Sequence, residues 1–350
     1  MPTSELIWAA LHRRQPYYMG SMRTMTRNLG RTALLGALFF CVVAKPDAFA
    51  QSEYPTRPIR VIVGYAAGGL TDVMTRMLGE RMSRELGQPI VVENKVGAAA
   101  SLAATFVVQS PPDGYTVLMG TTSLAINPSL QPSLTPRNPM AELDPIGLAY
   151  ETPFVLLTSK NIPARSFAEF LAYAKEKPGQ LNVASSGNGA VNHLILEMVS
   201  RRAGVQLMHI PYKGAAPAII DILAGRLDAT FATPLDAVPV SEQGAGQILA
   251  VTSNKRVALL PNVPPVAETL PGVQGVFWQA LFVPKGTPEP IITKLANALR
   301  IATEDAQLRS KVAERGVTMM TGGPEELRAF LKSETDDWGK LIREAGIKVE

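Results

Sequence analysis

Cysteine and histidine are scarce in this chain of 350 residues. Cys41 is the single cysteine, and His12, His193 and His209 are the three histidines. Because Cys41 lies near the amino terminus, residues 51–350 form neither a disulfide framework nor a cysteine metal site. A zinc centre would need a cluster of histidine and cysteine ligands. We therefore expect no bound metal and no cofactor.

Common catalytic motifs are missing as well. The chain contains no G-x-S-x-G and no H-E-x-x-H sequence. A hydrolase that pairs Ser186 with His193 can be imagined, but these residues share one turn and helix, and catalytic triads do not require such a spacing. We expect that the protein is not an enzyme. The alternative is an exported enzyme that acts on a small acidic metabolite.

An excess of positive charge is absent from most of the chain. The formal net charge of +4 is carried by residues 1–50, where basic residues outnumber acidic ones, so residues 51–350 are near neutral. A nucleic-acid-binding surface would need a basic patch or stripe. We therefore expect no nucleic-acid partner.

Long hydrophobic runs are limited to residues 32–44. This run of about 13 residues is shorter than the ~20 that span a bilayer. Basic residues precede it, and Ala48-Phe49-Ala50 follows it. Basic, apolar and small residues in this order are typical of a secretory signal peptide. We expect residues 1–50 to be removed by cleavage near Ala50, with an uncleaved membrane anchor as the alternative that the short run disfavours.

The true start of the chain has three candidates. Met19, Met22 and Met25 all precede the apolar run, and residues 1–18 add a segment that no signal peptide needs. We therefore expect translation to begin at one of these three methionines.

The remainder of the chain alternates strand and helix patterns. Ile59–Tyr65 is the first predicted strand, and a helix follows from about Thr71, with apolar residues at every fourth position from Met74 to Leu86. A second alternating set begins near Pro153. The simplest arrangement is two parallel-sheet domains that face each other. In such sheets, ligands bind beyond the carboxyl ends of the strands.

The strongest local signal is a glycine-rich loop between the first strand and its helix. It consists of Tyr65, Ala66, Ala67, Gly68, Gly69, Leu70, Thr71 and Asp72. Small residues let a ligand approach the backbone, and the first amides of a helix attract anions. We interpret Asp72 as a cap of the turn, and a purely structural strand-to-helix turn is an equal alternative. The spacing fits neither a dinucleotide fingerprint nor a P-loop.

A second loop has the same plan. Ser185, Ser186, Gly187, Asn188 and Gly189 follow a predicted strand, and the next helix carries His193. The serine hydroxyls and glycine amides are candidate ligands of a second anionic group, and so is His193. A packed, hydrogen-bonded histidine is the more common role for a lone imidazole.

Three further residues are candidates at other strand ends. Thr121 and Ser123 follow the strand Thr116–Gly120 and supply hydroxyl donors, and Lys213 follows another strand. Lys213 is a candidate to neutralise a carboxylate, with a solvent-facing position as the alternative. Ordinary turn chemistry is the alternative for the two hydroxyl residues.

Many short motifs occur in a single order along the chain. They are Tyr54-Pro55-x-x-Pro58, Gly68-Gly69-x-Thr71-Asp72, Leu86-Gly87-Gln88-Pro89, Pro112-Asp113-Gly114-Tyr115-Thr116, Ser186-Gly187-x-Gly189, Pro211-Tyr212-Lys213-Gly214 and Leu260-Pro261-x-Val263-Pro264. Together they resemble the solute receptors of tripartite tricarboxylate transporters, also called Bug-type receptors. The resemblance covers about residues 53–350.

This resemblance implies an α/β fold of the two-lobed periplasmic binding protein type, a Venus flytrap in which each lobe is a mostly parallel sheet flanked by helices. Residues 51–152 and 277–350 would form the first lobe, and residues 153–276 the second. One loop of each lobe, Ala66–Asp72 and Ser185–Gly189, would hold a small organic carboxylate. The receptor would be a periplasmic monomer that serves membrane permease subunits or a sensor protein.

Two departures from the family pattern bear on the ligand. Tyr65 stands where the family usually has a phenylalanine that lines the pocket. Ala232-Thr233 replaces an Asp-Asn pair that is common in the family. If that acid recognises an amino group, this receptor should prefer ligands without one.

Overall fold

The computed structural model describes residues 54–348. The predicted signal peptide, its cleavage site near Ala50 and the candidate starts Met19, Met22 and Met25 lie outside these residues. In chain order the strands are β1 (Ile59–Val63), β2 (Ile90–Asn94), β3 (Thr116–Thr121), β4 (Leu143–Pro153), β5 (Val155–Ser159), β6 (Asn182–Ser185), β7 (Met208–Pro211), β8 (Ala229–Ala232), β9 (Gly246–Val251), β10 (Val276–Pro284) and β11 (Thr318–Met319).

The α-helices alternate with these strands along most of the chain. They are α1 (Leu70–Leu86), α2 (Ser101–Val108), α3 (Ser123–Leu130), α4 (Pro139–Glu142), α5 (Phe167–Glu176), α6 (Val191–Ala203), α7 (Ala215–Leu223), α8 (Pro234–Glu242), α9 (Val266–Thr269), α10 (Glu289–Glu304), α11 (Ala306–Ala313) and α12 (Pro324–Ala345). No helix within residues 54–348 is both long and apolar enough to cross a bilayer.

The strands form two sheets, each with its own helices. The first sheet has the order β11-β4-β10-β3-β1-β2, and the second has the order β7-β6-β8-β5-β9. In the first, β1 pairs parallel with β2 and β3, whereas β10 pairs antiparallel with β3 and β4. In the second, β6 pairs parallel with β7 and β8, whereas β5 pairs antiparallel with β8 and β9.

Both sheets are therefore mixed, which corrects the expectation that each is mostly parallel. The reason is the path of the chain between them. β4 leaves the first sheet at Pro153, and β10 returns to it at Val276, which is the partner of Pro153 in the ladder. Because β4 leaves the first sheet and β10 returns to it at the same edge, β4 and β10 must run in opposite directions.

The strand ends of both sheets converge on this crossover. In the second sheet, Val155 at the start of β5 pairs with Ala232 and Val251, the last residues of β8 and β9. In the first sheet, Gln279 near the start of β10 pairs with Thr121 at the end of β3. The loops that follow the parallel strands therefore meet between the sheets, where ligands of such folds bind.

Helix α1 shows how the apolar pattern fixes the loop before it. Met74, Leu78, Met82 and Leu86 are all buried in the hydrophobic core. Gly87 ends the helix in the left-handed conformation, with φ of 66°. Burial of one face thus sets the rotation of α1 about its axis and the position of its first turn, which borders the space between the sheets.

Candidate functional site

The loop between β1 and α1 is held from behind by Asp72. The backbone amide of Gly68 donates to its carboxylate at 3.1 Å, and the Asn94 side chain donates to it at 3.1 Å. The Arg76 guanidinium adds bonds of 2.8 and 3.1 Å. Burial alone would raise the pKa of Asp72, but these donors lower it below its usual range. Asp72 thus stays ionised and supports the loop.

The loop needs glycine at one position and has room at the next. Gly68 adopts a φ of +83°, a left-handed conformation that side chains disfavour. Gly69 is the residue before α1 and has an ordinary φ of −79°. Because α1 begins at Leu70, the amides of its first turn have no partners within the helix. They carry the positive end of the helix dipole.

Tyr65 forms one wall of the site. Its ring packs edge-on against Phe277 with the centroids 5.9 Å apart, and its hydroxyl lies 3.1 Å from the Ser123 hydroxyl. Burial raises the pKa of this phenol, so it stays protonated. Phe277 also packs against Phe154, with ring centroids 5.5 Å apart. Aromatic rings from the loop after β1, the crossover and β10 therefore meet at one place.

The second loop presents Ser186, and Asn192 fixes it. The Asn192 amide donates to the Ser186 hydroxyl at 3.2 Å and to the Phe231 carbonyl at 3.0 Å. In return, the Ser186 backbone amide donates to the Asn192 side-chain oxygen at 3.2 Å. These bonds join the start of α6 to the end of β8 and fix the position of the Ser186 side chain.

Ser185 and His193 lie behind this loop. The Ser185 hydroxyl is 2.6 Å from Nε2 of His209, and the His193 and His209 rings stack with centroids 4.0 Å apart. The Gly189 amide donates to Nδ1 of His193 at 3.2 Å. Burial lowers the pKa of His193 to about 3 and that of His209 to about 4. Both imidazoles are therefore neutral at pH 7, and His193 has the structural role that a lone histidine commonly takes.

A pocket between the two sheets combines these parts. It holds about 440 Å³ of space not filled by protein atoms, its opening included. Its lining consists of Tyr65, Ala66, Gly69, Leu70, Thr71, Phe154, Ser186, Ala190, Val191, Asn192, Ala215, Phe231, Ala232, Thr233, Asp236 and Phe277. Both sheets contribute, and no lysine, arginine or histidine is among these described residues.

Five of the candidate residues from the sequence line this pocket, namely Tyr65, Ala66, Gly69, Thr71 and Ser186. The others lie nearby. Ala67 and Gly68 are exposed members of the first loop, and Thr121 and Ser123 line a neighbouring cavity of about 280 Å³ beside β3.

A second opening between the sheets, of about 760 Å³, is lined by Gly187, Asn188 and Lys213 among others. Two hydrogen bonds cross it. The Ala66 amide donates to the Lys213 carbonyl at 3.1 Å, and the Gln131 side chain donates to the Asn188 carbonyl at 3.0 Å. Lys213 thus contributes through its backbone, while its side chain is exposed.

Several lining residues were missed by sequence reasoning, above all Phe154, Phe277 and Asp236. Each lies at or just beyond a strand end on the edge that faces the pocket. Asp236 is in the first turn of α8, and the Thr233 hydroxyl donates to its carboxylate at 2.6 Å. Burial raises the pKa of Asp236 to about 6, although the bonds from Thr233 act in the opposite direction.

The sequence profile of the tripartite tricarboxylate transporter family receptor matches residues 74–347. The chain belongs to this family. It is 32% identical to the protein BugT of Bordetella pertussis strain Tohama I over 326 residues, which cover 92% of this chain and 100% of BugT. The predicted relationship to Bug-type receptors is confirmed.

Solved structures of similar proteins agree with this assignment. The periplasmic binding protein BugD is 33% identical, with a TM-score of 0.81 over 85% of this chain and 100% of BugD. MatC from Rhodopseudomonas palustris with bound malate is 32% identical, with a TM-score of 0.79 over 83% and 100% of the two chains. R. palustris Rpa4515 with adipate is 30% identical, with a TM-score of 0.81 over 84% and 99%.

These similarities confirm two expectations. The receptor has the two-lobed fold of periplasmic binding proteins. It is a solute-binding receptor and not an enzyme, since its family and its structural neighbours are receptors.

Proposed function

We propose that this receptor binds a small organic carboxylate in the pocket between its lobes and delivers it to the membrane subunits of a tripartite transporter. The observation that carries the proposal is the meeting of two loops in one pocket, with Gly69, Leu70 and Thr71 on one side and Ser186 on the other. Malate in MatC and adipate in Rpa4515 are ligands of this chemistry in similar proteins.

The carboxylate would be held by dipoles instead of basic side chains. The free amides at the start of α1 and the Ser186 hydroxyl are among the hydrogen-bond donors that line the pocket. A hydrogen bond to a charged group contributes about 1.5–3 kcal/mol, so two or three such bonds supply about 3–9 kcal/mol. Part of this offsets the cost of association, so burial of the carbon chain must add to the affinity. The aromatic wall of Tyr65, Phe154 and Phe277 would cover the carbon chain and exclude water.

The proposed lobes follow the path of the chain. Residues up to 152 and from 277 onward form the first lobe, and residues 153–276 form the second. The crossovers support this division, because Pro153 ends β4 and Val276 begins β10. Phe154 and Thr252 exchange two hydrogen bonds of 2.8 Å between these crossovers, which makes this pair the proposed hinge.

Gly69 provides the direct test of the site. A Cβ at Gly69 would meet only the Ala66 carbonyl, at an ordinary 3.6 Å, so the fold tolerates a side chain there. A Gly69→Leu side chain should occupy the pocket and abolish the binding of organic acids in isothermal titration calorimetry. Gly323→Leu is the matched control, because Gly323 also precedes a helix, α12, with a φ of −84°. Equal affinity in the two variants would contradict the proposed site.

Delivery to a transporter needs a separate test. Cells that carry the receptor and its permease subunits should accumulate a labelled acid that the purified receptor binds. Cells with the Gly69→Leu receptor should not accumulate it. Uptake that is unchanged by this substitution would contradict the transport role, while binding by the purified protein would still support a receptor.

A further inference from the structure

Asp236 places a negative charge inside a pocket proposed to bind an anion. The residue lines the pocket from the first turn of α8, opposite the loop at the start of α1. Thr233, which is 3% exposed and directly follows β8, donates its hydroxyl to one carboxylate oxygen at 2.6 Å. The Asp236 side chain is thus held in place at the start of α8, in the lining of the pocket.

Within residues 54–348, this carboxylate forms no ion pair with a lysine, arginine or histidine. Burial raises the pKa of the Asp236 carboxyl, and hydrogen bonds from the hydroxyl and backbone of Thr233 lower it. Among the described residues that line the pocket, none is lysine, arginine or histidine. With a pKa raised by burial to about 6, the carboxylate is mostly ionised at pH 7. The carboxylate has hydrogen bonds from Thr233 but no cation beside it among residues 54–348, so a ligand that supplied a cation would gain affinity.

The two polar regions of the pocket therefore have opposite preferences. The amides of α1 and the Ser186 hydroxyl donate hydrogen bonds and favour an anion, whereas Asp236 accepts them and favours a cation. A second carboxylate on the ligand would face Asp236 with like charge. The walls between the two regions are apolar, since Phe154, Phe231 and Phe277 line them.

We propose that Asp236 determines specificity by binding a protonated amine of the ligand, so that the substrate class is the amino-carboxylates. This inference rests on the proposed function, because it assumes that the loop at α1 holds the carboxylate. The inference reverses the expectation that this receptor prefers ligands without an amino group, which was drawn from Ala232-Thr233. Asp236, in the first turn of α8, supplies the acid that is absent directly after β8.

Two matched series of ligands test the proposal by isothermal titration calorimetry at pH 7. The first is butyrate, 4-hydroxybutyrate, 4-aminobutyrate and succinate, with the corresponding three- and five-carbon acids. The second is succinate, malate and aspartate, which differ at one carbon. In at least one series the amine should bind about 10- to 100-fold tighter than the matched acid that carries a carboxylate, a methyl group or a hydrogen in place of the amine, the range expected for one charged hydrogen bond.

Asp236→Asn should remove this preference, because the amide is neutral and still accepts the Thr233 hydroxyl. The amine should lose about 10- to 100-fold in affinity, while the matched diacid should bind at least as well as before. Asp236→Ser is a second variant that keeps a small acceptor near Thr233, and thermal unfolding would check the fold of both. Glu242→Gln is the matched control, because Glu242 is exposed at the far end of α8 and its loss removes one charge without touching the pocket.

The other outcomes separate this inference from the proposed function. Tightest binding of a diacid or methyl-ended acid, or of a hydroxy acid, would overturn the amino-carboxylate assignment and leave a carboxylate receptor. The same follows if Asp236→Asn leaves the amine's affinity unchanged. A wild-type receptor that binds no acid of either series would overturn both proposals.

Discussion

The backbone amide of Ala66 donates a hydrogen bond to the carbonyl of Lys213 across 3.1 Å. Ala66 belongs to the loop after β1 in the first sheet, and Lys213 follows β7 in the second. The bond joins the two loops beside the pocket without using a side chain. It thereby favours a closed arrangement in which the ligand loops face each other, and a change that separates these backbones should weaken ligand binding.

Gly214→Ala should separate the backbones of Ala66 and Lys213. A Cβ at Gly214 would lie 3.0 Å from the Ala66 nitrogen and 3.3 Å from its Cβ. We expect the substitution to reduce acid affinity at least tenfold in calorimetry, because the closed form then costs more free energy. Part of any loss of stability would come from the backbone, since Gly214 has a φ of +136°.

Gly97→Ala controls for this strain. Gly97 has nearly the same φ, +138°, but its Cβ would meet only the end of the flexible Leu102 side chain. Both variants should lower the unfolding temperature. Only Gly214→Ala should lose more acid affinity than its loss of stability explains. Equal losses of affinity in both would show that backbone strain, and not the contact with Ala66, controls binding.

Asp72 supports the loop between β1 and α1. We therefore expect Asp72→Ala to lower both the stability of the protein and its affinity for the acid. The substitution removes bonds from Gly68, Asn94 and Arg76. We expect the free energy of unfolding to fall by about 1–3 kcal/mol, because the Gly68 amide, the Asn94 amide and the Arg76 guanidinium lose their common acceptor. Urea denaturation and calorimetry would measure the two effects.

Glu80→Ala is the matched control on the same helix. Glu80 forms an ion pair with Arg84 at 2.7 Å, but both side chains are largely exposed. Such pairs contribute about 0.3–0.5 kcal/mol, and this one is far from the pocket. If Asp72→Ala cost no more than Glu80→Ala, the loop would not depend on the Asp72 carboxylate.

The elements with local signals were predicted well. The pattern Met74, Leu78, Met82 and Leu86 indicated α1, and all four residues are buried in it. The strand predicted at Ile59–Tyr65 is β1, which spans Ile59–Val63. Periodicity and glycine turns depend on neighbouring residues, so one sequence is enough to find them.

The longest strand was not predicted, for a physical reason. β4 spans Leu143–Pro153 and contains Pro145 and Gly147, which weaken a strand pattern. Its pairing with β10 shifts register twice, and these irregularities accommodate the interrupted sequence. β4 is also the strand that leaves for the second lobe. Without it, the antiparallel pairs and the mixed sheets could not be foreseen.

Most of the residues that line the pocket could not be identified from local sequence patterns either. Phe154, Asp236 and Phe277 are far apart in sequence and meet only because the strand ends converge at the crossover. A single aspartate after Thr233 has the appearance of a helix cap, and it does accept the Thr233 hydroxyl. Its proposed role in binding a ligand amine depends on the residues across the pocket, which only the tertiary fold brings there.

The contact between Tyr65 and Ser123 predicts a measurable coupling. Their hydroxyl oxygens are 3.1 Å apart in a buried setting. Tyr65→Phe and Ser123→Ala should each lower the free energy of unfolding by about 1 kcal/mol, because each leaves the other hydroxyl without this partner. The double variant should lose less than the sum, and urea denaturation of the four proteins would give the coupling energy.

Affinity distinguishes the two parts of Tyr65. Tyr65→Phe keeps the ring against Phe277, so acid binding should remain within a few-fold of wild type. Tyr65→Ala removes the wall and should weaken binding strongly. An equally large loss of affinity in Tyr65→Phe would show instead that the hydroxyl contacts the ligand.

The stacked imidazoles of His193 and His209 predict that acid destabilises the receptor. Burial lowers the pKa of His193 from 6.5 to about 3 and that of His209 from 6.5 to about 4. Below pH 6.5 the unfolded chain therefore binds protons that the folded chain does not, so stability is lost as the pH falls through this window. At pH 5 the loss from His193 should be about 2 kcal/mol, with a smaller contribution from the more exposed His209.

The double variant His193→Asn and His209→Gln should remove this dependence and keep the local hydrogen bonds. The Asn oxygen can accept the Gly189 amide in place of Nδ1, and the Gln amide can reach the Ser185 hydroxyl in place of Nε2. Carboxylates titrate in both proteins, so the difference between their urea-unfolding free energies at pH 7.5, 6 and 5 isolates the imidazoles. Parallel curves would mean that the pair takes up protons as readily when folded as when unfolded, because only equal proton uptake leaves the difference constant.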